Sequence, residues 1–183
     1  MSKKKVLLFI GNTGWLNKRP WRSIPHFAPI LTPMLKDRFE FKIIDANGPM
    51  WSEQDCVSKI KDFNPEVVLT SALSGEYHEQ HHLSISIVKK ACPEAITIMG
   101  GVYPTVMGHT ALKDKNIDYI FVGHAEERIA DFLDLLLTDP QKAREFPGIG
   151  FRESSGGIQT NPVQTFIGDV EKLVNPDYSL LDL

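Results

Sequence analysis

Two histidines and a glutamate stand at a spacing that could bind zinc. His78, Glu79 and His82 fit the pattern H-E-x-x-H. On a helix this spacing puts two imidazoles on one face, where they bind zinc while the glutamate acts as general base of a hydrolase. The later histidines that could complete the site, His109 and His124, lie in no context typical of such enzymes. We therefore predict that the H-E-Q-H-H stretch does not bind a metal ion, and that the protein is not a zinc hydrolase.

Composition excludes several other classes of function. The chain has 183 residues and a net charge of −3, so it offers no basic field to nucleic acid or an anionic membrane. The apolar run at residues 6–10 is too short for a secretory signal or a membrane span. Cys56 and Cys92 show no C-x-x-C spacing, which suits the reducing cytoplasm. The sequence predicts a cytoplasmic protein that binds a small molecule.

Short apolar segments alternate with longer amphipathic ones along most of the chain. Strands are predicted at 6–10, 41–46, 66–72, 95–101 and 118–123, and helices at about 28–38, 52–63, 77–92, 107–115 and 126–137. Strands that are apolar throughout are buried on both faces, and this alternation implies a parallel sheet. The predicted fold is α/β: a flavodoxin-like (Rossmann-like), doubly wound, five-stranded parallel sheet, which we place at residues 1–140.

The alternation of apolar and amphipathic segments ends near Pro147. The segments G-I-G-F-R-E, S-S-G-G and I-Q-T-N-P predict a β-hairpin around Gly156 and Gly157. The last residues, from D-V-E-K-L to S-L-L-D-L, show no strong core pattern. We assign residues 141–183 to a β-hairpin extension and a linker to a further domain.

Small and hydroxyl-bearing residues follow four of the predicted strands, where ligands of open α/β sheets bind. They are Gly11, Asn12, Thr13 and Gly14 after the first strand, Thr70, Ser71 and Ser74 after the third, Gly100, Gly101 and Thr105 after the fourth, and Gly123 after the fifth. Paired glycines let a bulky planar group approach the main chain closely. The pattern predicts a slot walled by backbone.

Three common ligand classes do not fit this slot. A phosphate-binding loop needs G-x-x-x-x-G-K-[ST] after the first strand, and G-N-T-G-W-L-N-K-R does not supply it. A dinucleotide site needs G-x-G-x-x-G, and only Gly11 and Gly14 are present. A phosphoacceptor receiver domain needs an acidic cluster where this chain has Asn12 and Thr70.

A resemblance to a known family rests on the spacing of two short motifs. Ser71-x-Leu73 and Gly100-Gly101, with 26 residues between them, resemble the S-x-L…G-G pair of cobalamin-binding domains. The segments NPEVVLTSAL, CPEAITIMGGVYPT, NIDYIFVGHAEERIADFLDLL, PGIGFRE and NPDYSLLDL resemble the variant that precedes a radical S-adenosylmethionine domain. Over about residues 5–183 the chain is similar to the cobalamin (B12)-binding N-terminal domain of B12-dependent radical S-adenosylmethionine enzymes, which are methyltransferases or anaerobic Mg-protoporphyrin monomethyl ester cyclases.

The resemblance implies cobalamin as the cofactor and a groove for its dimethylbenzimidazole tail. Ser71 and Leu73 are expected to line that groove, with Gly100 and Gly101 flanking the tail. The corrin ring is expected over the loops after the first, third and fourth strands, where Gly75, Glu76 and Tyr77 are further candidates for contact. Trp15, Trp21 and Trp51 are candidates to shield cobalt or to pack against the further domain. The expected cofactor-binding residues are Asn12, Thr13, Ser71, Leu73, Ser74, Gly100, Gly101, Tyr103, Gly123 and His124.

Departures from the family pattern refine these expectations. The segment G-N-T-G-W-L has no histidine where other cobalamin domains carry cobalt's lower ligand, so we expect base-off cobalamin without a protein histidine on cobalt. Tyr103 replaces a histidine of the family's G-G-x-H-P-T, and His124 and Ala125 replace a glutamate and a glycine of its G-E-G-E.

The resemblance also implies what this polypeptide does not do alone. Radical generation needs an iron–sulfur cluster, normally held by three closely spaced cysteines, and Cys56 and Cys92 are too few. We expect S-adenosylmethionine and the 4Fe-4S cluster in a C-terminal radical S-adenosylmethionine domain of the natural chain, and no catalytic residues here. The alternative is a non-catalytic sensor or carrier that holds flavin or cobalamin in the same slot.

Overall fold

One mixed sheet organises the protein. The computed structural model describes residues 2–18, 25–73, 78–163 and 174–181. The strands in these ranges are β1 (Lys5–Ile10), β2 (Glu40–Asp45), β3 (Val67–Ser71), β4 (Ile96–Gly100), β5 (Tyr119–Phe121), β6 (Ile149–Arg152) and β7 (Ile158–Thr160). Their order is β2-β1-β3-β4-β5-β6-β7, with β1 to β5 parallel and β6 and β7 antiparallel. The predicted α/β fold class is confirmed.

Helices cover both faces of the sheet. They are α1 (Phe27–Leu35), α2 (Glu53–Phe63), α3 (His78–Ala91), α4 (Val102–Ala111), α5 (Ile129–Thr138) and the short α6 (Pro140–Ala143), and a 3-10 turn spans Trp15–Asn17. Ser52 caps the N-terminus of α2: its hydroxyl accepts from the Asp55 amide at 3.2 Å, and the Asp55 carboxylate accepts from the Ser52 amide at 3.1 Å. No helix in the described ranges is long and apolar enough to cross a membrane.

Successive residues of β1 point to opposite faces and build two cores. Val6 and Leu8 pack in the cluster formed with α1 and α5, whereas Leu7 and Phe9 pack in the cluster formed with α2 and α3. All four are fully or almost fully buried. A strand without a polar face is therefore what a sheet covered on both sides requires.

The predicted hairpin forms and extends the main sheet. β6 pairs with β5 in the register Tyr119↔Phe151, so the described sheet has two strands more than the parallel five. Ile149 and Phe151 are buried in the core beside α5, and this burial fixes the hairpin at the sheet edge. The domain boundary placed at residue 140 stays a prediction.

The helix after β4 begins earlier than predicted. The sequence pattern placed it at 107–115, but α4 starts directly after Gly101. Pro104 looks like a helix breaker, yet it lies in the first turn, where amide groups have no partner inside the helix and proline is tolerated. Met107, with φ −117° and ψ 32°, interrupts the helical geometry further along and weakens its periodic pattern.

Candidate functional site

A cavity of about 370 Å³ opens at the carboxyl ends of β3, β4 and β5. Apolar side chains of the sheet, such as Leu69 and Ile98, form its base, while Phe27, Ile30 and Leu31 of α1 form one wall. The strand order turns back between β1 and β3, and the cavity lies beside that point. Doubly wound sheets bind their ligands at such a place.

The two adjacent glycines have different functions at the cavity. Gly101 has φ +97°, and a Cβ there would lie 2.6 Å from the carbonyl oxygen of Ala72 and 2.9 Å from Ser71 Oγ. Its missing side chain lets the ends of β3 and β4 approach, with the Ala72 amide donating to the Gly100 carbonyl at 2.9 Å. A Cβ at Gly100 would meet nothing closer than the Thr70 carbonyl at 3.9 Å, so glycine there leaves space for a ligand.

Ser71 provides a hydroxyl that is available to a ligand. It lines the cavity half-buried, and no described residue forms a hydrogen bond with its Oγ. The nearby Thr105 is committed, because its hydroxyl donates to the Gly101 carbonyl at 2.7 Å and accepts from the Gly123 amide at 3.0 Å. A largely apolar slot with a hydroxyl in its wall suits a planar ring that carries a hydrogen-bonding nitrogen.

The loop between β5 and α5 also lines the cavity. His124 and Glu126 lie there, with His124 Nδ1 3.7 Å from the carboxylate and the imidazole largely exposed. Arg128 fixes the loop by donating to the carbonyl oxygens of His124 at 2.7 Å, Val122 at 3.1 Å and Pro147 at 2.9 Å. Burial lowers the pKa of the Arg128 guanidinium from its usual value, with no effect on its charge at neutral pH.

The structure brings six of the ten predicted site residues together at this cavity. They are Ser71, Leu73, Gly100, Gly101, Gly123 and His124. Ser74 lies outside the described residues, as do Gly75, Glu76, Tyr77 and Trp21. Their contact with a cofactor stays a prediction.

Asn12 and Thr13 lie in a separate network at the ends of β1 and β2. Asn12 donates to the Trp51 carbonyl at 3.3 Å and accepts from the Gly14 amide at 2.7 Å. Thr13 donates its hydroxyl to Asn47 Oδ1 at 2.7 Å and its amide to the same oxygen at 3.1 Å. Both residues are bonded to other groups of the protein, so their predicted contact with the corrin ring rests on the family resemblance alone.

Tyr103 points away from the cavity. Its side chain is buried, and its hydroxyl lies 3.1 Å from His82 Nε2, while His82 Nδ1 lies 2.7 Å from Asp114 Oδ2. Burial and the nearby Asp114 carboxylate raise the pKa of Tyr103. The structure gives no support to a cofactor contact by Tyr103, and that contact stays a prediction.

The same network explains part of the H-E-x-x-H pattern. His82 is occupied by Tyr103 and Asp114, and no group of three metal-ligating side chains occurs within the described residues. Burial, with a smaller contribution from the neighbouring His82 and His78, lowers the pKa of His81 to about 4, so the His81 imidazole is neutral at pH 7.

Sequence reasoning missed the helical walls of the cavity. Phe27, Ile30 and Leu31 on α1, and Ile129 on α5, line it directly. Their apolar spacing predicted helices but gave no sign of which face would meet a ligand. Only the proximity of α1 and α5 to the carboxyl ends of β3 and β4 shows it.

Comparison with known proteins decides the family. Residues 27–133 match the model of the family described as the B12 binding domain. The chain belongs to this B12-binding family. The match spans more than half of the chain and includes the S-x-L…G-G pair, so the resemblance found in the sequence is confirmed.

Relatives of the B12-binding domain include two named enzymes. The chain is 30% identical over 112 residues to cytidylyl-2-hydroxyethylphosphonate methyltransferase of Streptomyces wedmorensis, covering 61% of this chain and 21% of that one. It is 23% identical over 146 residues to the anaerobic magnesium-protoporphyrin IX monomethyl ester cyclase of Cereibacter sphaeroides, covering 78% and 23%. The chain thus spans less than a quarter of either relative.

A solved structure shares the fold of this B12-binding domain. The cobalamin-dependent S-adenosylmethionine radical enzyme OxsB with aqua-cobalamin bound superposes with a TM-score of 0.67 at 17% identity. The superposition covers 89% of this chain and 23% of that one. The protein is therefore a cobalamin-binding domain that resembles those of B12-dependent radical S-adenosylmethionine enzymes.

Proposed function

We propose that this domain holds base-off cobalamin for a radical S-adenosylmethionine enzyme that transfers a methyl group or closes a ring. The two relatives described above carry these two activities in their names. Because the chain spans less than a quarter of each relative, the radical chemistry belongs to a further domain of the natural protein. That domain is its expected partner.

The observation that carries the proposal is the cavity with a free hydroxyl beside Gly100 and Gly101. A planar benzimidazole would fit between α1 and the glycines, where the missing side chain of Gly100 leaves room. The Ser71 hydroxyl would donate to a ring nitrogen, and Leu73, at 53% exposure, would pack on the ring. Burying its exposed apolar surface favours binding.

A dimethylbenzimidazole tail that occupied this cavity would not also ligate cobalt. Residues 11–16, directly after β1, include Asn12 and Thr13 but no histidine, so no imidazole from that segment replaces the tail. We therefore expect cob(II)alamin bound here to show no nitrogen splitting in its electron paramagnetic resonance spectrum. Nitrogen triplets that disappear in His124→Ala would contradict this expectation.

Cobalamin supplies methyl-carrying and redox chemistry, and this chain positions it. S-adenosylmethionine and a 4Fe-4S cluster are assigned to the further domain, because such a cluster normally needs three cysteines and this sequence has two. Both cysteine side chains are buried. Burial, together with the nearby charge of Asp55, raises the pKa of the Cys56 thiol to about 12. We expect the loaded chain neither to cleave S-adenosylmethionine nor to transfer a methyl group.

The decisive experiment is a titration of the purified chain with hydroxocobalamin, followed by tryptophan quenching and the visible spectrum. We expect saturable binding and a base-off spectrum. Ser71→Trp fills the cavity and is expected to weaken binding at least about a hundredfold, since a bulky side chain and the tail compete for one volume. Lys142→Ala, on the exposed surface of α6, is the matched control and leaves binding unchanged.

Circular dichroism and thermal unfolding verify that each variant is folded. A folded wild-type chain that gives no saturable change would overturn the proposal. Saturable binding of a flavin without binding of cobalamin would instead favour the sensor or carrier alternative.

A further inference from the structure

Residues 174–181 lie against α1, the helix that forms a wall of the cavity. The Asp177 amide donates to the Pro29 carbonyl at 2.8 Å, and Asp177 Oδ2 accepts from Lys36 Nζ at 2.5 Å. Leu181 packs on the core cluster that contains Ala28 and Leu35 of the same helix. The segment expected to be a plain linker is docked on the domain.

The sequence of α1 explains why Pro29 accepts from outside the helix. In an α-helix the carbonyl of residue 29 accepts from the amide of residue 33. Residue 33 is a proline within α1 and has no amide hydrogen to donate. The Asp177 amide therefore supplies a hydrogen bond that α1 cannot make itself.

Asp177 is held in place by several contacts at once. Its second carboxylate oxygen accepts from the Ser179 amide at 2.8 Å, which fixes the turn that follows. The Lys36 hydrogen bond, with those from Ser179, lowers the pKa of Asp177 to about 2. The carboxylate is therefore charged throughout the neutral range, and its contact with α1 does not depend on physiological changes in pH.

One helix thus connects this segment to the cavity. Phe27, Ile30 and Leu31 of α1 line the cavity, while Pro29 and Lys36 hold Asp177. Ala28 is fully buried and Pro29 is buried too, so α1 has little freedom to shift without moving its cavity face. A change in how residues 174–181 dock on α1 therefore also shifts the face of α1 that lines the cavity.

We propose that residues 174–181 are a strap that positions α1 for cobalamin, with Asp177 as its central positioning residue. The inference rests on the proposed binding of cobalamin in the cavity. By linkage, a strap that stabilises the cavity wall raises the affinity for cobalamin, and bound cobalamin stabilises the docked strap by the same factor.

The test removes the amide that donates to the Pro29 carbonyl and then restores a donor within α1. Asp177→Pro removes the carboxylate as well, and Asp177→Ala is the control for that loss. Asp177→Pro deletes the amide hydrogen, and we expect hydrogen exchange of the α1 amides to accelerate in the cobalamin-free protein and cobalamin binding to weaken about tenfold. Pro33→Ala gives α1 its own donor to the Pro29 carbonyl. In Pro33→Ala/Asp177→Pro we expect slow exchange and tight binding to return, because the helix no longer depends on the strap.

Two further variants separate the backbone from the ion pair. Asp177→Ala keeps the amide, and Lys36→Met removes the ion pair alone. Exposed ion pairs contribute little, so we expect affinity changes of less than about threefold for either variant. If Asp177→Pro fails to fold, Lys36→Met tests the strap instead. In Lys36→Met, bound cobalamin must still slow hydrogen exchange in residues 177–181.

Two results would overturn the proposal that the strap positions α1. The first is unchanged hydrogen exchange of the α1 amides in a folded Asp177→Pro protein. The second is a double variant whose exchange and cobalamin affinity are no closer to wild type than those of Asp177→Pro. Failure of wild-type protein to bind cobalamin would overturn the proposed function, whereas the exchange measurement on the cobalamin-free protein decides independently whether the strap holds α1.

Discussion

Two neighbouring stretches of the sheet's carboxyl edge use short polar residues in opposite ways. At the ends of β1 and β2, Thr13 donates to Asn47, Asn12 donates to the Trp51 carbonyl, and the two asparagines are almost completely buried. At the ends of β3 and β4, the Ser71 hydroxyl faces a cavity and bonds to no described residue.

The difference separates residues that complete the fold from residues that await a ligand. A buried amide without a partner is costly, so an internal network of satisfied groups stabilises the loop that contains it. Asp45 shows the cost in the same network: burial raises the pKa of its carboxyl group although the amides of Asn47 and Gly48 donate to it. The cavity avoids much of this cost because glycine and apolar side chains form most of its lining.

The largest effect that would break this comparison is expected at Gly101. Gly101→Val places a side chain against the Ala72 carbonyl in a backbone conformation that favours glycine. Strain and overpacking together should lower the free energy of unfolding by about 2–5 kcal/mol, and binding of cobalamin should be lost. Chemical denaturation and the hydroxocobalamin titration measure the two effects.

Gly156→Val is the matched control for Gly101. Gly156 also has a positive φ, +89°, but a Cβ there would meet nothing within 4 Å. We expect only the cost of backbone strain, about 1–3 kcal/mol, and unchanged affinity. Equal effects of the two substitutions would show that close approach at Gly101 is unimportant.

An intermediate effect is expected at Asn47, on the other side of the comparison. Asn47→Ala removes the acceptor shared by the Thr13 amide and hydroxyl, so we expect unfolding to become easier by about 1–3 kcal/mol. Affinity for cobalamin should change less than about threefold, because Asn47 lies outside the cavity. If Asn47→Ala weakened the free energy of binding by more than it lowered the free energy of unfolding, this network would belong to the ligand site.

The smallest effect is expected at Tyr103, which sharpens the comparison at a third place. Tyr103→Phe removes the hydroxyl bonded to His82 while keeping the buried ring, at a cost of about 1 kcal/mol. Thermal unfolding measures this cost, and His109→Ala serves as a control elsewhere on α4. The titration decides the prediction from sequence: a large loss of affinity in Tyr103→Phe would assign its hydroxyl to the cofactor after all.

Much of the fold and part of the site could be predicted because their signals are local. Apolar runs such as residues 6–10 and 66–72 have no polar face, and only strands covered on both sides use such runs. The pair Ser71-x-Leu73 and Gly100-Gly101 follows adjacent strands, so strand order brings both motifs to one edge. The start of α4 was missed because Pro104 resembles a helix breaker outside its first-turn context.

The availability of a polar group could not be predicted, because its partner comes from a distant part of the chain. Asn12 and Ser71 are both short polar residues after buried strands, and the sequence treats them alike. Asn12 meets the Trp51 carbonyl, which belongs to the loop before α2, whereas Ser71 meets a cavity. Tyr103 similarly finds His82 on the neighbouring helix α3.

The sequence by itself determined a doubly wound sheet, glycines at its carboxyl edge and a cobalamin-type spacing of motifs, since each follows from residues close together in the chain. It also determined that Pro33 leaves the Pro29 carbonyl without its helical donor. Only the tertiary structure decided that the Asp177 amide fills that place and that α1 faces the cavity. Hydrogen bonds and packing between distant segments depend on how the layers come together, and local sequence patterns do not encode that geometry.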